Sequence, residues 1–166
     1  GLKSNQPLIG ISWVGGGKES RKRVKSLTGD QFRSVFDAIP NARFISLQYG
    51  NAENMVNEWR IAGYDVIYDN EINALLDMDT WLSQVDCCDA VISIANTTIH
   101  GAGSIKKPTF CLQSRNSDWR WVDSLNHSYW YETVKTHWQS RDGSWSEAIE
   151  NSKNWFLNKS DKTISK

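Results

Sequence analysis

The chain has 166 residues, with 19 basic and 19 acidic side chains, so its formal net charge is zero. This length suits one domain with a sizeable core, and the balanced charge argues against a general nucleic-acid-binding surface. No apolar run approaches the length of a membrane span, and the polar first residues show no signal-peptide pattern.

The first predicted strand ends in a glycine loop. Residues 1–7 are expected to be a disordered lead-in, and the apolar run at 8–13 predicts a buried strand. Gly15, Gly16 and Gly17 follow, and then the basic residues Lys18 and 21–23. Such a loop is suited to holding a phosphate, although it lacks the G-x-G-x-x-G spacing and the Gly-Lys-Ser/Thr of a P-loop. A flexible, solvated loop is an equally good interpretation.

Helices and strands then alternate up to the middle of the chain. Hydrophobic periodicity and turn residues predict these elements. In order they are a helix at 28–39 with a Thr28–Gln31 capping box, a strand at 43–48, a helix at 53–62, a strand at 64–68, a connection at 69–77, and a helix through Val85 capped by Asp79 and Thr80.

The stretch 90–104 has the strongest functional pattern. A β-branched strand at 90–94 is followed by Asn96, Thr97 and Thr98, residue types that favour a helix N-terminus. His100 comes four residues after Asn96, so both can share one helix face. A helix N-terminus beyond a parallel strand favours a bound phosphate. The alternative interpretation is that Asn96 and the threonines only cap the helix, and that His100 is a satisfied, partly buried histidine.

The last third of the chain contains two more strands, at 109–112 and 134–138, and a helix at 145–157. A long loop at 113–131 separates the strands, and residues 158–166 are predicted to be a polar tail. The alternation predicts a Rossmann-like three-layer α/β/α fold over residues 8–157, with a mostly parallel sheet of about six strands.

Tryptophan, cysteine and histidine set further expectations. Nine tryptophans, five of them between Trp119 and Trp145, indicate either a sugar- or base-stacking surface or a Trp-filled core, of which the core is commoner. The three cysteines include an adjacent pair, which is a poor disulfide framework. The three histidines have no metal-ligand spacing. We therefore expect reduced thiols, no metal and a cytoplasmic protein.

The order of these motifs resembles a known family. The chain carries a Gly-Ile-Ser-Trp strand before a glycine loop, then Phe-Ile-Ser-Leu-Gln-Tyr-Gly, Val-Ile-Ser-Ile-Ala-Asn-Thr-Thr-Ile-His-Gly-Ala-Gly, Lys-Pro-Thr, Asp-Trp-Arg-Trp and Ser-Tyr-Trp-Tyr. Over residues 8–157 it resembles the C-terminal half of a GT-B glycosyltransferase of the heptosyltransferase type. It is most similar to the versions at the end of bacterial tetratricopeptide-repeat proteins.

The resemblance implies a domain that binds a nucleotide-diphosphate sugar and uses neither a metal nor another cofactor. It places the diphosphate at the Asn96–His100 turn and the glycine loop, the nucleoside beside Gln48–Gly50, the base near 77–80 and the sugar near 118–120. The implied contacts are Trp13, Gly15, Gly16, Gly17, Gln48, Tyr49, Asp77, Met78, Asn96, Thr97, Thr98, His100, Asp118, Trp119 and Arg120.

The resemblance also implies missing parts and some departures. The family's acceptor site and general base lie on an N-terminal domain, so this chain alone is expected to be inactive and to need that domain or a tetratricopeptide-repeat region as its partner. Ala95 stands where the family often has an acidic residue, and Val14 where it often has Arg or another polar residue. These two departures leave a non-catalytic nucleotide-binding module, or a protein-interaction module, as alternatives.

Overall fold

The computed structural model describes residues 6–115, 119–121 and 126–164, with side chains at all of these except 20, 21 and 159–164. Within this part of the chain the strands are β1 (Leu8–Ser12), β2 (Arg43–Ser46), β3 (Val66–Ile67), β4 (Ala90–Ile94), β5 (Thr109–Gln113) and β6 (Val134–Trp138). The helices are α1 (Glu19–Lys25), α2 (Gly29–Ala38), α3 (Glu53–Ile61), α4 (Met78–Asp86), α5 (Thr97–Ser104) and α6 (Ser146–Ile164).

The strands form one parallel sheet in the order β3-β2-β1-β4-β5-β6. Ile11 of β1 pairs with Ser46 of β2 on one side and with Ile92 of β4 on the other. The chain therefore builds outwards from β1 in one direction and then returns to build outwards from β4 in the other. This order confirms the predicted Rossmann-like three-layer fold, and it opens a crevice between the carboxyl ends of β1 and β4.

One face of the sheet is covered by α2, α3 and α6 and is built largely from aromatic rings. Trp59 is fully buried at its centre. Its ring lies 4.6 Å from that of Trp13 and 5.0 Å from that of Phe36, measured between centroids. Its indole Nε1–H donates to the carbonyl oxygen of Gly29 at 3.3 Å. The aromatic face is therefore a closed core with its polar group satisfied.

The opposite face is covered by α4 and α5, and its core is mostly aliphatic with single tryptophan rings. A Cβ atom added at Gly101 would collide with the ring of Trp81, and one added at Gly103 would collide with the ring of Tyr131. The two glycines thus let α5 lie directly against these rings. Two buried cysteines, Cys88 and Cys111, also belong to this face.

Several predicted boundaries were wrong, for identifiable reasons. Helix α1 forms where only a loop was predicted, because its seven residues, about two turns, are too few to show periodicity. Helix α4 is capped by Asp77, whose carboxylate accepts the backbone N–H of Thr80 at 3.0 Å, so Asp79 and Thr80 lie inside the helix. Helix α6 continues to Ile164, past its predicted end at 157, because no Gly or Pro stops it.

The capping box at Thr28 and Gln31 is confirmed, since each side chain bonds the backbone N–H of the other residue. The Asn96 cap of α5 is also confirmed. No helix in the described part of the chain is both long and apolar enough to cross a membrane.

Candidate functional site

An open cleft of about 440 Å³ lies at the carboxyl edge of the sheet, where β1 and β4 diverge. It is formed by the loop after β1, the end of α1, the turn after β2, the start of α5 and a short part of the segment after β5. Its lining residues are Gly15, Gly16, Lys25, Tyr49, Ala95, Asn96, Thr97, His100, Arg120 and Trp121. The described lining contains no acidic side chain, so its electrostatic character is positive.

Asn96 both caps α5 and fastens the glycine loop. Its Oδ1 accepts the backbone N–H of Thr98 at 3.0 Å and the hydroxyl of Ser93 at 3.2 Å. Its Nδ2 donates to the Ser12 hydroxyl at 2.7 Å and to the Val14 carbonyl at 3.2 Å. The side chain therefore uses its hydrogen-bonding capacity within the protein. Its contribution to anion binding is to fix the helix N-terminus in place.

Gln48 fastens the same loop from the other side. Its Oε1 accepts the Ser12 hydroxyl and the backbone N–H groups of Trp13 and Val14, at 2.8 to 3.1 Å. Its Nε2 donates to the carbonyl oxygens of Val14 and Tyr49, both at 3.2 Å. Gln48 thus holds the loop after β1 and lines a smaller neighbouring pocket instead of the cleft, while the following residue, Tyr49, lines both.

The first turn of α5 presents its backbone to the cleft at Thr97. Helix geometry leaves the first N–H groups without partners inside the helix. The side chain of Asn96 accepts the N–H of Thr98, and its backbone carbonyl oxygen accepts the N–H of Ile99. No hydrogen bond among the described residues takes the N–H of Thr97, so this donor and the positive helix end are available to an anion.

His100 lies one turn further along α5, half-buried in the cleft wall. Its Nδ1 lies 3.1 Å from the hydroxyl of Tyr131. Its ring is 5.9 Å from that of Trp121 and 5.7 Å from that of Tyr131, between centroids. These contacts orient the imidazole against an aromatic wall. His100 is therefore a partly buried histidine with a side-chain partner, and it also lines the cleft.

Two cationic side chains complete the cleft. Lys25 is the last residue of α1, and Arg120 belongs to the Trp-rich segment, where its guanidinium lies 4.8 Å from the ring centre of Trp119. The Arg120 backbone is held as well, because its carbonyl oxygen accepts the indole N–H of Trp130 at 3.2 Å. Two full positive charges and a helix N-terminus therefore face one cavity.

A second, smaller pocket of about 130 Å³ lies beside the cleft. It is formed by the end of β2 and the connection between β3 and α4. Tyr49 lines both cavities, and Tyr68, Asn73 and Leu75 line only the smaller one. A molecule that extends from the cleft past Tyr49 would enter this pocket.

The cleft brings together seven of the predicted contacts, which are Gly15, Gly16, Tyr49, Asn96, Thr97, His100 and Arg120. Trp13 is only 3% exposed and packs into the aromatic face, so its side chain does not reach the cleft. Thr98 is fully buried, and its Oγ1 has no hydrogen-bond partner among the described residues.

The remaining predicted contacts lie elsewhere or outside the described residues. Gly17 adopts a positive φ of 107° in open space beyond the lining. Asp77 caps α4 and Met78 is 44% exposed, and neither lines the cleft or the smaller pocket. Trp119 is exposed beside Arg120. Asp118 lies outside the described residues.

Sequence reasoning missed three lining residues, Lys25, Ala95 and Trp121. Lys25 was missed because α1 was not predicted, although a glutamate at its start and basic residues at its end give the charge order that a helix favours. Trp121 belongs to the Asp-Trp-Arg-Trp motif, but only the three residues before it were predicted as contacts. Ala95 was noted as a departure rather than as a lining residue.

No protein-family model and no curated protein matches the chain. Among solved structures, it is similar to the crystal structure of a glycosyl transferase family 9 protein from Veillonella parvula, with a TM-score of 0.65 and 13% sequence identity. The match covers 95% of this chain and 48% of that protein, so the chain spans about half the length of this structural relative. At this identity the similarity shows the fold.

Proposed function

We propose that the cleft binds a nucleotide-diphosphate sugar and that the chain is the donor-binding half of a metal-independent GT-B glycosyltransferase. The observation that carries the proposal is the convergence of Lys25, Arg120, His100 and the start of α5 on one cavity without a described acidic side chain. This charge pattern selects an anionic ligand, and a diphosphate matches its several donors.

Each group has a distinct task in this proposal. The N–H of Thr97 and the α5 dipole bind one phosphate group, while Lys25 and Arg120 neutralise the charge that grows on the diphosphate as the sugar leaves. His100 donates a further hydrogen bond from its fixed ring. The nucleoside extends past Tyr49 into the smaller pocket, and Trp121 borders the sugar.

The acceptor site and the general base belong to a second domain in this proposal. The structural relative is described as a glycosyl transferase, and this chain matches 48% of it. An N-terminal GT-B domain, or a tetratricopeptide-repeat region in a bacterial, cytoplasmic protein, is the partner that the sequence resemblance suggests. The donor domain alone would then bind the nucleotide without transferring the sugar.

A non-catalytic nucleotide-binding module is the second candidate, and Ala95 favours it. This residue lines the cleft at a position where the resemblance implies a carboxylate. A methyl group there can neither accept a proton nor orient a sugar hydroxyl. Both candidates require nucleotide binding, and only sugar transfer by a longer protein separates them.

Calorimetric titration of this chain with UDP, ADP and GDP, and then with their common sugar conjugates, tests the proposal. We expect one nucleotide to bind. Lys25→Ala, Arg120→Ala and His100→Ala should each weaken it by about 1.5–3 kcal/mol, the usual loss for a hydrogen bond to a charged group. Lys153→Ala on α6 removes a surface cation remote from the cleft and should bind as the parent chain does.

Binding that persists unchanged in Lys25→Ala and Arg120→Ala would contradict the diphosphate assignment. A His100→Ala chain that fails to fold would show that His100 is structural, because its ring also contacts Trp121 and Tyr131. Sugar transfer by the longer protein would then support the enzyme, and tight binding without transfer would support the module.

A further inference from the structure

Apart from the cleft and the smaller pocket beside it, an open pocket of about 390 Å³ lies at the C-terminal end of α5, on the far side of Tyr131 from the cleft. We call it the flank pocket. Its main lining residues are Gly103, Lys106, Trp130, Tyr131, Glu132 and Thr133. Its size falls within the range of small-molecule sites. Nothing in the proposed donor site uses it.

Trp130 gives this pocket an exposed but immobilised aromatic surface. Its side chain is 57% exposed, although a ring of this size is usually covered in a folded protein. Its indole Nε1–H donates to the Arg120 carbonyl at 3.2 Å, and its backbone N–H donates to the Ser128 hydroxyl at 3.1 Å. The edge of Trp119 lies against it, with ring centroids 6.2 Å apart. The ring is therefore pre-oriented as a platform.

Lys106 occupies a backbone position that normally belongs to glycine. Its φ is 58°, and no other non-glycine residue in the described part of the chain has a positive φ. It follows the last turn of α5, where its N–H donates to the Gly103 carbonyl and that of Lys107 to the Ala102 carbonyl. This hydrogen-bond pattern is the helix-ending motif in which glycine is preferred. Lysine therefore carries a steric cost at this position that glycine would avoid.

The pocket also gathers polar groups that lack partners. The side chains of Lys106 and Glu132 make no hydrogen bond or ion pair with any described residue, and both line the pocket. The Thr133 Oγ1 is buried and has no hydrogen-bond partner in the described structure. This oxygen is shielded from solvent, so the groups open to a ligand are the exposed side chains of Lys106 and Glu132.

We propose that the flank pocket binds a saccharide unit. A sugar ring presents a C–H face that stacks on an aromatic platform, and its rim of hydroxyl groups both donates and accepts hydrogen bonds. Trp130 supplies the platform, Lys106 a donor and Glu132 an acceptor. The combination matches a neutral polyhydroxylated ligand more closely than other classes.

The charges argue against the alternatives. Glu132 would repel a phosphate or a nucleic acid, and Lys106 would repel an organic cation that could otherwise sit on Trp130. One positive and one negative charge, both unpaired, suit a neutral ligand whose hydroxyl groups satisfy both.

The flank pocket and the cleft share a wall. The Tyr131 ring lines the flank pocket, and its hydroxyl bonds the Nδ1 of His100, which lines the cleft. The proposal does not require a nucleotide in the cleft. It places a saccharide two side chains away from it, as a glycan-holding site on the same domain.

Titration of the isotopically labelled chain, followed by two-dimensional NMR of the tryptophan indole N–H signals, tests the proposal. The probes are glucose, galactose, mannose and N-acetylglucosamine, followed by cellobiose, maltose and chitobiose. Trp130→Phe assigns the Trp130 signal. We expect at least one saccharide to shift that signal saturably. Trp130→Ala should weaken the binding about tenfold, and Glu132→Gln about threefold.

Lys106→Gly gives the most specific result. It removes the amine and relieves the positive φ, so we expect about threefold weaker saccharide binding together with a higher unfolding midpoint. A merely structural Lys106 would change only the midpoint. Ile61→Ala, which removes an exposed apolar side chain of α3 that lines neither the flank pocket nor the cleft, serves as the control.

The proposal is overturned if no saccharide in the panel shifts the Trp130 signal, or if binding survives unchanged in Trp130→Ala. A parallel UDP, ADP and GDP titration separates the two proposals. Nucleotide binding without saccharide binding would refute only the flank pocket, and the reverse result would refute only the donor site.

Discussion

The two faces of the sheet are packed in opposite ways. On the face covered by α2, α3 and α6, large rings such as those of Trp59 and Phe36 fill the space between helix and sheet. On the face covered by α4 and α5, Gly101 and Gly103 bring helix backbone against single rings. The cleft and the flank pocket are both built around α5. The aromatic face therefore supplies stability, and close approach of α5 supplies the sites.

The tryptophans illustrate this division. Trp13 and Trp59 are buried in the aromatic face, which fits the commoner interpretation of Trp enrichment. Trp119 and Trp130 are 73% and 57% exposed and lie beside the two cavities, which fits the rarer one. The core interpretation is therefore correct for Trp13 and Trp59, while a stacking role for the exposed rings stays a prediction.

The largest expected effect is on the aromatic face. Trp59→Ala should lower the free energy of unfolding by about 3–5 kcal/mol, because it leaves a cavity among rings that cannot collapse. Urea denaturation followed by circular dichroism measures this. Trp119→Ala, which removes an exposed ring, is the control and should change stability by less than about 0.5 kcal/mol. Equal losses would refute the contrast between the two sets of tryptophans.

Crowding the α5 face should have the next largest effect. Gly103→Leu inserts a side chain where Tyr131 already lies, and we expect a loss of about 3 kcal/mol. Ser104→Leu, at the adjacent exposed position of α5, should be nearly neutral in the same denaturation experiment. If both variants were equally stable, the close approach of α5 would not be a constraint.

Removing the Asn96 cap should cost less. Asn96→Ala loses the N-cap bond to Thr98 and the bonds to Ser12 and Val14, so we expect a loss of about 2 kcal/mol. Asn96→Asp keeps the acceptor for Thr98 but not the donor for the loop. Its unfolding midpoint should therefore lie between those of the parent chain and Asn96→Ala. Thermal unfolding of the three chains gives the order.

Relieving the positive φ of Lys106 should change stability in the other direction. Lys106→Gly is expected to raise the free energy of unfolding by about 1 kcal/mol, since glycine adopts this conformation without steric cost. Lys107→Gly is the control. The Lys107 ammonium bonds both the carbonyl oxygen and the carboxylate of Asp86, so its loss should lower the free energy of unfolding. A destabilised Lys106→Gly chain would contradict the assigned strain.

The smallest effect concerns thiols of the α5 face. Burial raises the pKa of Cys88 to about 12 and that of Cys111 well above its usual value, while the neighbouring Cys87 is exposed. Iodoacetamide at pH 8 should therefore modify Cys87 alone in the native chain, as judged by mass spectrometry. Because the folded pKa is raised, the stabilisation from the protonated Cys88 is complete below its ordinary pKa and is lost as pH rises towards 12.

Sequence reasoning located the layers better than it located the side chains of the site. Strand runs, the Thr28 box and the Asn96 cap are local patterns, and each was confirmed. Which side chains point into the cleft depends on partners distant in the chain. Gln48 faces inward only because Ser12 and Val14 lie beside it, 36 and 34 residues earlier in the chain. Lys25 was missed because a helix of seven residues carries too little periodicity.

The hydrogen bonds of Asn96 also bear on how the protein acquires its native state. They join α5 to a strand 84 residues earlier, whereas the Gln48 bonds to the same loop span 36 residues or fewer. Closing the longer loop costs more chain entropy, so we expect the β1–β2 half of this network to form before the β1–β4 half. During synthesis, the cleft cannot assemble until the ribosome has released residue 121, because Arg120 and Trp121 belong to its lining. Ligand binding at this edge would then report completed folding rather than an early, partly ordered state.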